Sequence, residues 1–271
     1  MLPIDHVTVA GIDLPRMRAA LSAVGIETIY GGVHRDGATE MALVSFADGS
    51  YLELIAPHPR AAQEIVHSHP WSRFLTGDAG PCAWAVCTPD LDAEIRRLQS
   101  AGIAVSAPIA NGRQRPDGVQ LEWRTAACGS EPMGSFFPFL IEDITPRELR
   151  AFPGGMPENR EYRGIARVVL AVRDLDAAMA RFHEAYGLNC TFRQVDRAFG
   201  ANFAVPDEAP VILAQPLDSH SWLADRLERF GEAPCAVLLQ TGGTPRQPFP
   251  PVIRWFDAGI RGWRLGVLGE R

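Results

Sequence analysis

At 271 residues, 46% hydrophobic and 21% charged, the chain has room for one large domain or two ordinary ones, and it is too rich in apolar side chains to be disordered. Its formal net charge of −6, without a Lys/Arg run, argues against a nucleic-acid or membrane-surface partner. No apolar run approaches the roughly eighteen residues of a membrane span, no signal peptide precedes Ile4, and five cysteines without CxxC spacing fit a reducing compartment, so the expected location is the cytoplasm.

The first expected strand, residues 3–10, places His6 inside the otherwise apolar run IDHVTV. A lone strand histidine is most simply a core residue satisfied by one hydrogen bond, and that reading stands beside a functional one. The following stretch, GIDLPRMRAALSAVGI, repeats Leu14, Met17, Leu21 and Val24 at helical spacing, with Asp13 and Pro15 as start signals and Gly25 as a stop. Strands are then expected near 27–32, 40–47 and 51–57, separated by Gly and Asp turns. The unit is βαβββ.

The order returns. AWAVCTPDLDAEIRRLQSAGI reads as a strand and a helix with Leu91, Ile95 and Leu98 on one face, followed by strands near 104–108, 119–126 and 136–143. A third unit begins at IARVVLAVRDLDAAMARFHEAYGL, with Leu175, Ala178, Met179 and Phe182 as its buried stripe and strands near 190–195, 198–205 and 210–215. A fourth begins at CAVLLQT, lacks its helix, and passes through GGTPRQPFPP to strands near 251–257 and 262–268. His69-Pro70-Trp71 before Pro81-Cys82-Ala83 is echoed by His220-Ser221-Trp222 before Pro234-Cys235-Ala236. Repetition at this scale outranks any single motif. It groups the units in pairs, residues 1–148 and 162–271, joined by the linker FPGGMPENREY.

On this repeated background, DHVTVAGIDL, GSYLELIAP and TPDLDAEIRRLQSAGI resemble the vicinal oxygen chelate superfamily. GRQRPDGVQLEWRTA and FFPFLIED bring the chain nearer the glyoxalase-like branch, the glyoxalase, bleomycin-resistance and dioxygenase group. The resemblance covers about residues 1–145; the second half is similar by pattern. It implies an α+β fold in which the βαβββ modules form two curved-sheet barrels, the first cupping a ligand and the second degenerate. It also implies metal ligands at His6, Glu53 and Glu142, with the remaining family position on Ala83, next to Cys82 and Trp84.

An imidazole and two carboxylates suit a divalent ion such as Zn, Ni, Mn or Fe, which would polarise a substrate oxygen while Glu53 or Glu142 moves a proton. The implied function is a metal-dependent lyase, isomerase or oxygenase acting on a small oxygenated molecule; a ring-cleaving dioxygenase lacks its second histidine at Ala83. The rival is a metal-free, drug-sequestering binding protein, with Trp71, Trp84 and Trp123 as apolar walls. Solvent-facing carboxylates on half-exposed strands would also explain Glu53 and Glu142.

Other residues are weaker candidates. Arg113 and Arg115, beside the turn Pro116-Asp117-Gly118, would grip a ligand carboxylate or phosphate, or else merely be solvated. His34 and Arg35 are candidates for the same mouth. His67 and His69 read as capping or packing residues, and Cys82 and Cys128 have no evident base. In the second half Arg167 and Ile212 take the places of His6 and Glu53, so no metal site is expected there. The expected partner is a small molecule, with a homodimer left open.

Overall fold

The first unit runs β1 (Ile4–Ala10), α1 (Leu14–Ser22), β2 (Ile29–Val33), β3 (Thr39–Ser45) and β4 (Tyr51–Pro57), and two short helices, α2 (Gln63–Ser68) and α3 (Ser72–Thr76), lead out of it. The second unit is β5 (Gly80–Cys87), α4 (Leu91–Ser100), β6 (Ile109–Gln114), β7 (Gln120–Ala126) and β8 (Phe139–Asp143), closed by α5 (Arg147–Ala151). The third is β9 (Tyr162–Ala171), α6 (Leu175–Tyr186), β10 (Cys190–Asp196), β11 (Ala201–Pro206) and β12 (Val211–Pro216), followed by α7 (Trp222–Phe230). The fourth contributes β13 (Pro234–Thr241), β14 (Val252–Trp255) and β15 (Arg264–Gly269). The computed structural model describes residues 2–34, 36–115, 117–206, 209–241, 252–256 and 262–269. Gly242-Gly243-Thr244 and Arg35 lie outside the described residues.

Each full unit turns from strand to helix at the same signal. Asp13, Asp90 and Asp174 are extended N-cap residues whose carboxylates accept from the backbone N–H three positions on, Arg16 at 2.9 Å, Ala93 at 2.8 Å and Ala177 at 2.9 Å. Each bond satisfies one of the free N–H groups at a helix start. α6 ends on Gly187 at φ +67°, a left-handed position that costs glycine nothing and lets the chain turn back into β10.

Two sheets result, in the orders β2-β3-β4-β1-β5-β8-β7-β6 and β10-β11-β12-β9-β13-β15-β14. The first curls into a nearly closed barrel and the second into a half-barrel, which is the α+β arrangement that the resemblance implies. β1 pairs in parallel with β4 and antiparallel with β5; β9 relates to β12 and β13 in the same way. Central strands are covered on both faces, which is why β1 is buried from end to end.

Alternation sorts the side chains. Val7, Val9, Leu52, Leu54, Val86 and Leu140 join the helices in a core cluster that continues into the second lobe through Val168, Leu170, Phe182 and Val237. Tyr51, Ile55, Ala83, Ala85, Phe139 and Ile141 turn to the inner face of the first sheet. Burying each large apolar side chain contributes about 1.5–3 kcal/mol, so this shared core is the main attachment between the lobes.

The strand expected at 104–108 is displaced. Pro108 has no N–H to give a ladder, so only a single bridge, Val105 to Cys128, forms before β6 begins at Ile109.

Candidate functional site

A register shift in the β1–β5 pairing between Ile4 and His6 brings Asp5 and His6 side by side in the interior, 0% and 4% exposed. A buried carboxylate demands partners. Arg150 supplies two, Nη1 to Oδ1 at 2.8 Å and Nη2 to Oδ2 at 2.9 Å, and Arg147 Nη1 lies 2.9 Å from Oδ2. Burial pushes the Asp5 carboxyl up, but the charge and hydrogen bonds of Arg150 and the contact with His6 overcome it and hold it far below the usual carboxylate range. Being ionised, Asp5 can only accept, so the 2.6 Å contact with His6 is an Nδ1–H donation and Nε2 is the open end of the ring. Tyr51 stacks on that imidazole at 4.8 Å and Phe139 meets it edge-on.

His6 Nε2 faces Glu53 Oε2 across 3.7 Å. Glu53 stands on β4 directly beside Thr8 of β1, whose hydroxyl donates to Oε2 at 3.4 Å. Its other oxygen lies 3.5 Å from Nε2 of His34, a residue just past β2 whose Nδ1 is held by Thr39 Oγ1 at 2.6 Å. Burial raises the Glu53 carboxyl, yet the His34 contact and the charges of His6, His34 and Arg113 outweigh it and bring it to about 2. The side chains of His34 and Glu53 are 26% and 15% exposed, so solvent reaches the site from their side, with His6 behind. His69 sits nearby; its Nδ1 accepts from the Trp71 N–H, which leaves the proton of the neutral ring on Nε2. Burial lowers its pKa.

Glu142 does not join them. It shares the helix-bearing face with Leu140, accepts from Leu91 N–H at the start of α4 (3.2 Å), and pairs with Arg124 (2.7 Å). The ladder gives the reason. Counting back seven residues from the helix caps Asp13 and Asp90 aligns His6 with Ala83 and Thr8 with Ala85. Thr8 faces Glu53, and Ala85 faces Phe139. The second unit therefore offers a phenyl ring where the first offers a carboxylate.

The remaining expectations resolve one by one. Arg113 donates to the carbonyls of Gly31 (2.7 Å) and Arg150 (3.4 Å), and Arg115 to those of Leu149 (3.1 Å) and Pro153 (2.6 Å); both hold the chain itself while lining the groove along β6 and β7. Trp84 is wholly buried on the helix-bearing face, donating to Phe136 O, and lines no opening. Trp123 does line one, a groove of about 980 Å³ along β6 and β7 that Tyr30, Val33 and Asn111 also border. Cys82 and Cys128 are buried, and burial lifts both thiols, Cys128 to about 12, so neither is a ready nucleophile. Arg167 donates to the carbonyls of Pro206 and Ala209, and Ile212 is wholly buried.

The metal that the resemblance implies finds no fitting donor set. His6, Glu53 and Glu142 do not converge, the family's remaining position is Ala83, and among the described residues no group of three or more His, Cys, Asp or Glu side chains is arranged to hold an ion. Sequence reasoning missed Asp5, Asp143 and Arg150. Asp143 and Arg150 flank the segment between β8 and the linker, and a doublet of arginines, Arg147 and Arg150, just after a strand ending in two acids was the available signal.

A family model described as "Glyoxalase-like domain" matches residues 4–186, running past the linker into β9 and α6. No curated protein matches. Among solved structures, a hypothetical protein from Staphylococcus aureus superposes with a TM-score of 0.68 at 14% identity, covering 98% of this chain and 99% of that one. At that identity the likeness concerns the fold. Methylmalonyl-CoA epimerase from Mycobacterium tuberculosis gives a TM-score of 0.34 at 18% identity over 42% of this chain and 91% of its own. A Streptomyces coelicolor methylmalonyl-CoA epimerase variant in complex with 2-nitronate-propionyl-CoA gives 0.41 at 20% identity over 54% and 100%.

Proposed function

The chain belongs to the glyoxalase-like domain family, and from that premise we propose that its first lobe is an acid–base site that moves a proton on a small oxygenated molecule. The observation that supports this is the line Asp5–His6–Glu53–His34, in which anion and imidazole alternate from the buried interior to the solvent-reached end. Imidazole is the side chain that takes and gives a proton near neutral pH. A carboxyl held at about 2 is a poor base, so Glu53 serves as the fixed anion that stabilises an imidazolium once His34 or His6 has taken a proton. Asp5 keeps the His6 proton on Nδ1 and so presents Nε2 to the reaction. The chemistry that fits is proton abstraction beside a carbonyl, as in isomerase, epimerase or lyase reactions.

The test is deuterium wash-in, followed by proton NMR, over a panel of small 2-hydroxycarbonyl and 2-oxo compounds in heavy water. The wild type should exchange one C–H of at least one compound, and Glu53→Gln and His34→Gln should each slow it by about 100-fold or more. Identical slow exchange by all three proteins would end this reading. Sequestration of a small apolar ligand is the second reading, supported by Trp123 on the open groove along β6 and β7. It leads if no compound exchanges but aromatic ligands quench tryptophan fluorescence stoichiometrically.

A further inference from the structure

Arg150 sits where the two units of the first lobe meet. Asp5 belongs to the first strand of the first unit and Asp143 to the last strand of the second, with β5 between them in the sheet. In the inner cluster β5 presents small side chains, Cys82, Ala83, Ala85 and Cys87. The Arg150 side chain, 3% exposed, comes from α5. Its Nε and Nη2 donate to the two oxygens of Asp143 (2.7 and 2.9 Å), its Nη1 and Nη2 to the two oxygens of Asp5 (2.8 and 2.9 Å), and its second Nη1 hydrogen to Tyr51 Oη. A guanidinium has five N–H donors, and all five are spent.

We propose that Arg150 is the built-in cation of the first lobe, joining one carboxylate from each βαβββ unit and, through Asp5, positioning His6. A protein-borne cation here does what a bound metal ion would do between two carboxylates: it neutralises them and fixes their geometry. With no donor left over, it is a positioning residue and touches no substrate. The two carboxylates that it joins are then neutralised by the chain itself, without a metal ion between them. A reciprocal consequence follows: removing the guanidinium leaves Asp5 and Asp143 buried without their shared cation, a loss that destabilises the lobe and loosens the carboxylate that holds His6.

The inference rests on the acid–base reading only in its last step, from Asp5 to His6, and its readouts need no substrate. Its failure is thus distinguishable from that of the exchange assay. Wild type, Arg150→Met and Asp143→Asn are each titrated calorimetrically with Mn²⁺, Zn²⁺ and Ni²⁺, melted with and without EDTA, and examined by ¹H–¹⁵N NMR of the His6 ring. The wild type should bind no ion stoichiometrically and melt at the same temperature with chelator. Arg150→Met should melt lower by several degrees, lose the His6 Nδ1–H signal, and bind no ion stoichiometrically. Asp143→Asn retains the Asp5 arm, so it should keep the His6 signal; this variant decides the case if Arg150→Met fails to fold. Stoichiometric metal binding by the wild type, abolished by Glu53→Gln, overturns the inference. So does a folded Arg150→Met with an unchanged His6 signal, or loss of that signal in Asp143→Asn.

Discussion

Glu53 illustrates how a single side chain can report on its surroundings. Its carboxyl titrates at 4.5 in the unfolded chain and about 2 in the folded one. A depressed folded value stabilises the protein above the unfolded value, and that stabilisation drains away as pH falls from about 4.5 through 2. The full contribution amounts to about 3 kcal/mol before any discount for the part-exposed carboxylate. Chemical denaturation at pH 7, 4 and 3 should therefore show the wild type losing more stability than Glu53→Gln over that interval. Parallel losses would mean that the imidazoles do not hold the carboxylate. His6 and Glu53 were readable in the sequence because each interrupts an apolar strand with one polar group. Glu142 interrupts its strand too, but three positions off the equivalent register, and alternation then turns it to the opposite face. Asp5 was hidden because a bulge, which no periodicity announces, sets it inward.

Among the elements, α5 is one of four helices that the βαβββ pattern did not contain, with α2, α3 and α7. It is five residues long, too short for a periodicity, and its reason to exist is tertiary: Ser45 Oγ, Arg113, Arg115 and the Asp5–Asp143 pair all grip it or the two residues after it. Arg113 also ties Gly31 of β2 to β6, the two edge strands of the first sheet, and so draws the barrel nearly closed. Arg113→Met leaves two carbonyls without that donor and should cost about 2–3 kcal/mol in urea denaturation, with faster amide exchange along β2. Arg113→Lys should not restore it, since one ammonium cannot reproduce the fork. A cost within experimental error would show that α5 and the edges stand without the clamp. The long helices, by contrast, were legible from their apolar stripes, Leu91, Ile95 and Leu98 in α4 and Leu175, Ala178, Met179 and Phe182 in α6, all of which are buried.

Across the whole molecule the two lobes are tied by more than their shared apolar core. Arg226 of α7, wholly buried, donates to the carbonyls of Ala79 and Pro81 in the first lobe and of Pro234 (2.6 Å) and Gly262 (3.0 Å) in the second. Burial pulls its pKa down to about 10, partly countered by the nearby thiols of Cys235 and Cys82. The paired Pro-Cys-Ala echoes, legible in the sequence as repeats, prove to be the two carbonyl cradles of one arginine, which no local pattern could have revealed. Arg226→Met should cost about 2 kcal/mol or more and split a single calorimetric transition into two. One sharp transition in the variant would assign the cohesion of the lobes to the apolar core alone. Beside Arg226, Phe230 packs on Phe74 at 5.9 Å and belongs to the inner cluster of the first lobe. During synthesis, then, the N-terminal lobe emerges from the ribosome without a piece of its own interior. At about 5–20 residues per second the stretch from Ala151 to Phe230 takes roughly 4–16 s to appear, and for that interval the nascent first lobe lacks the ring that completes its inner cluster.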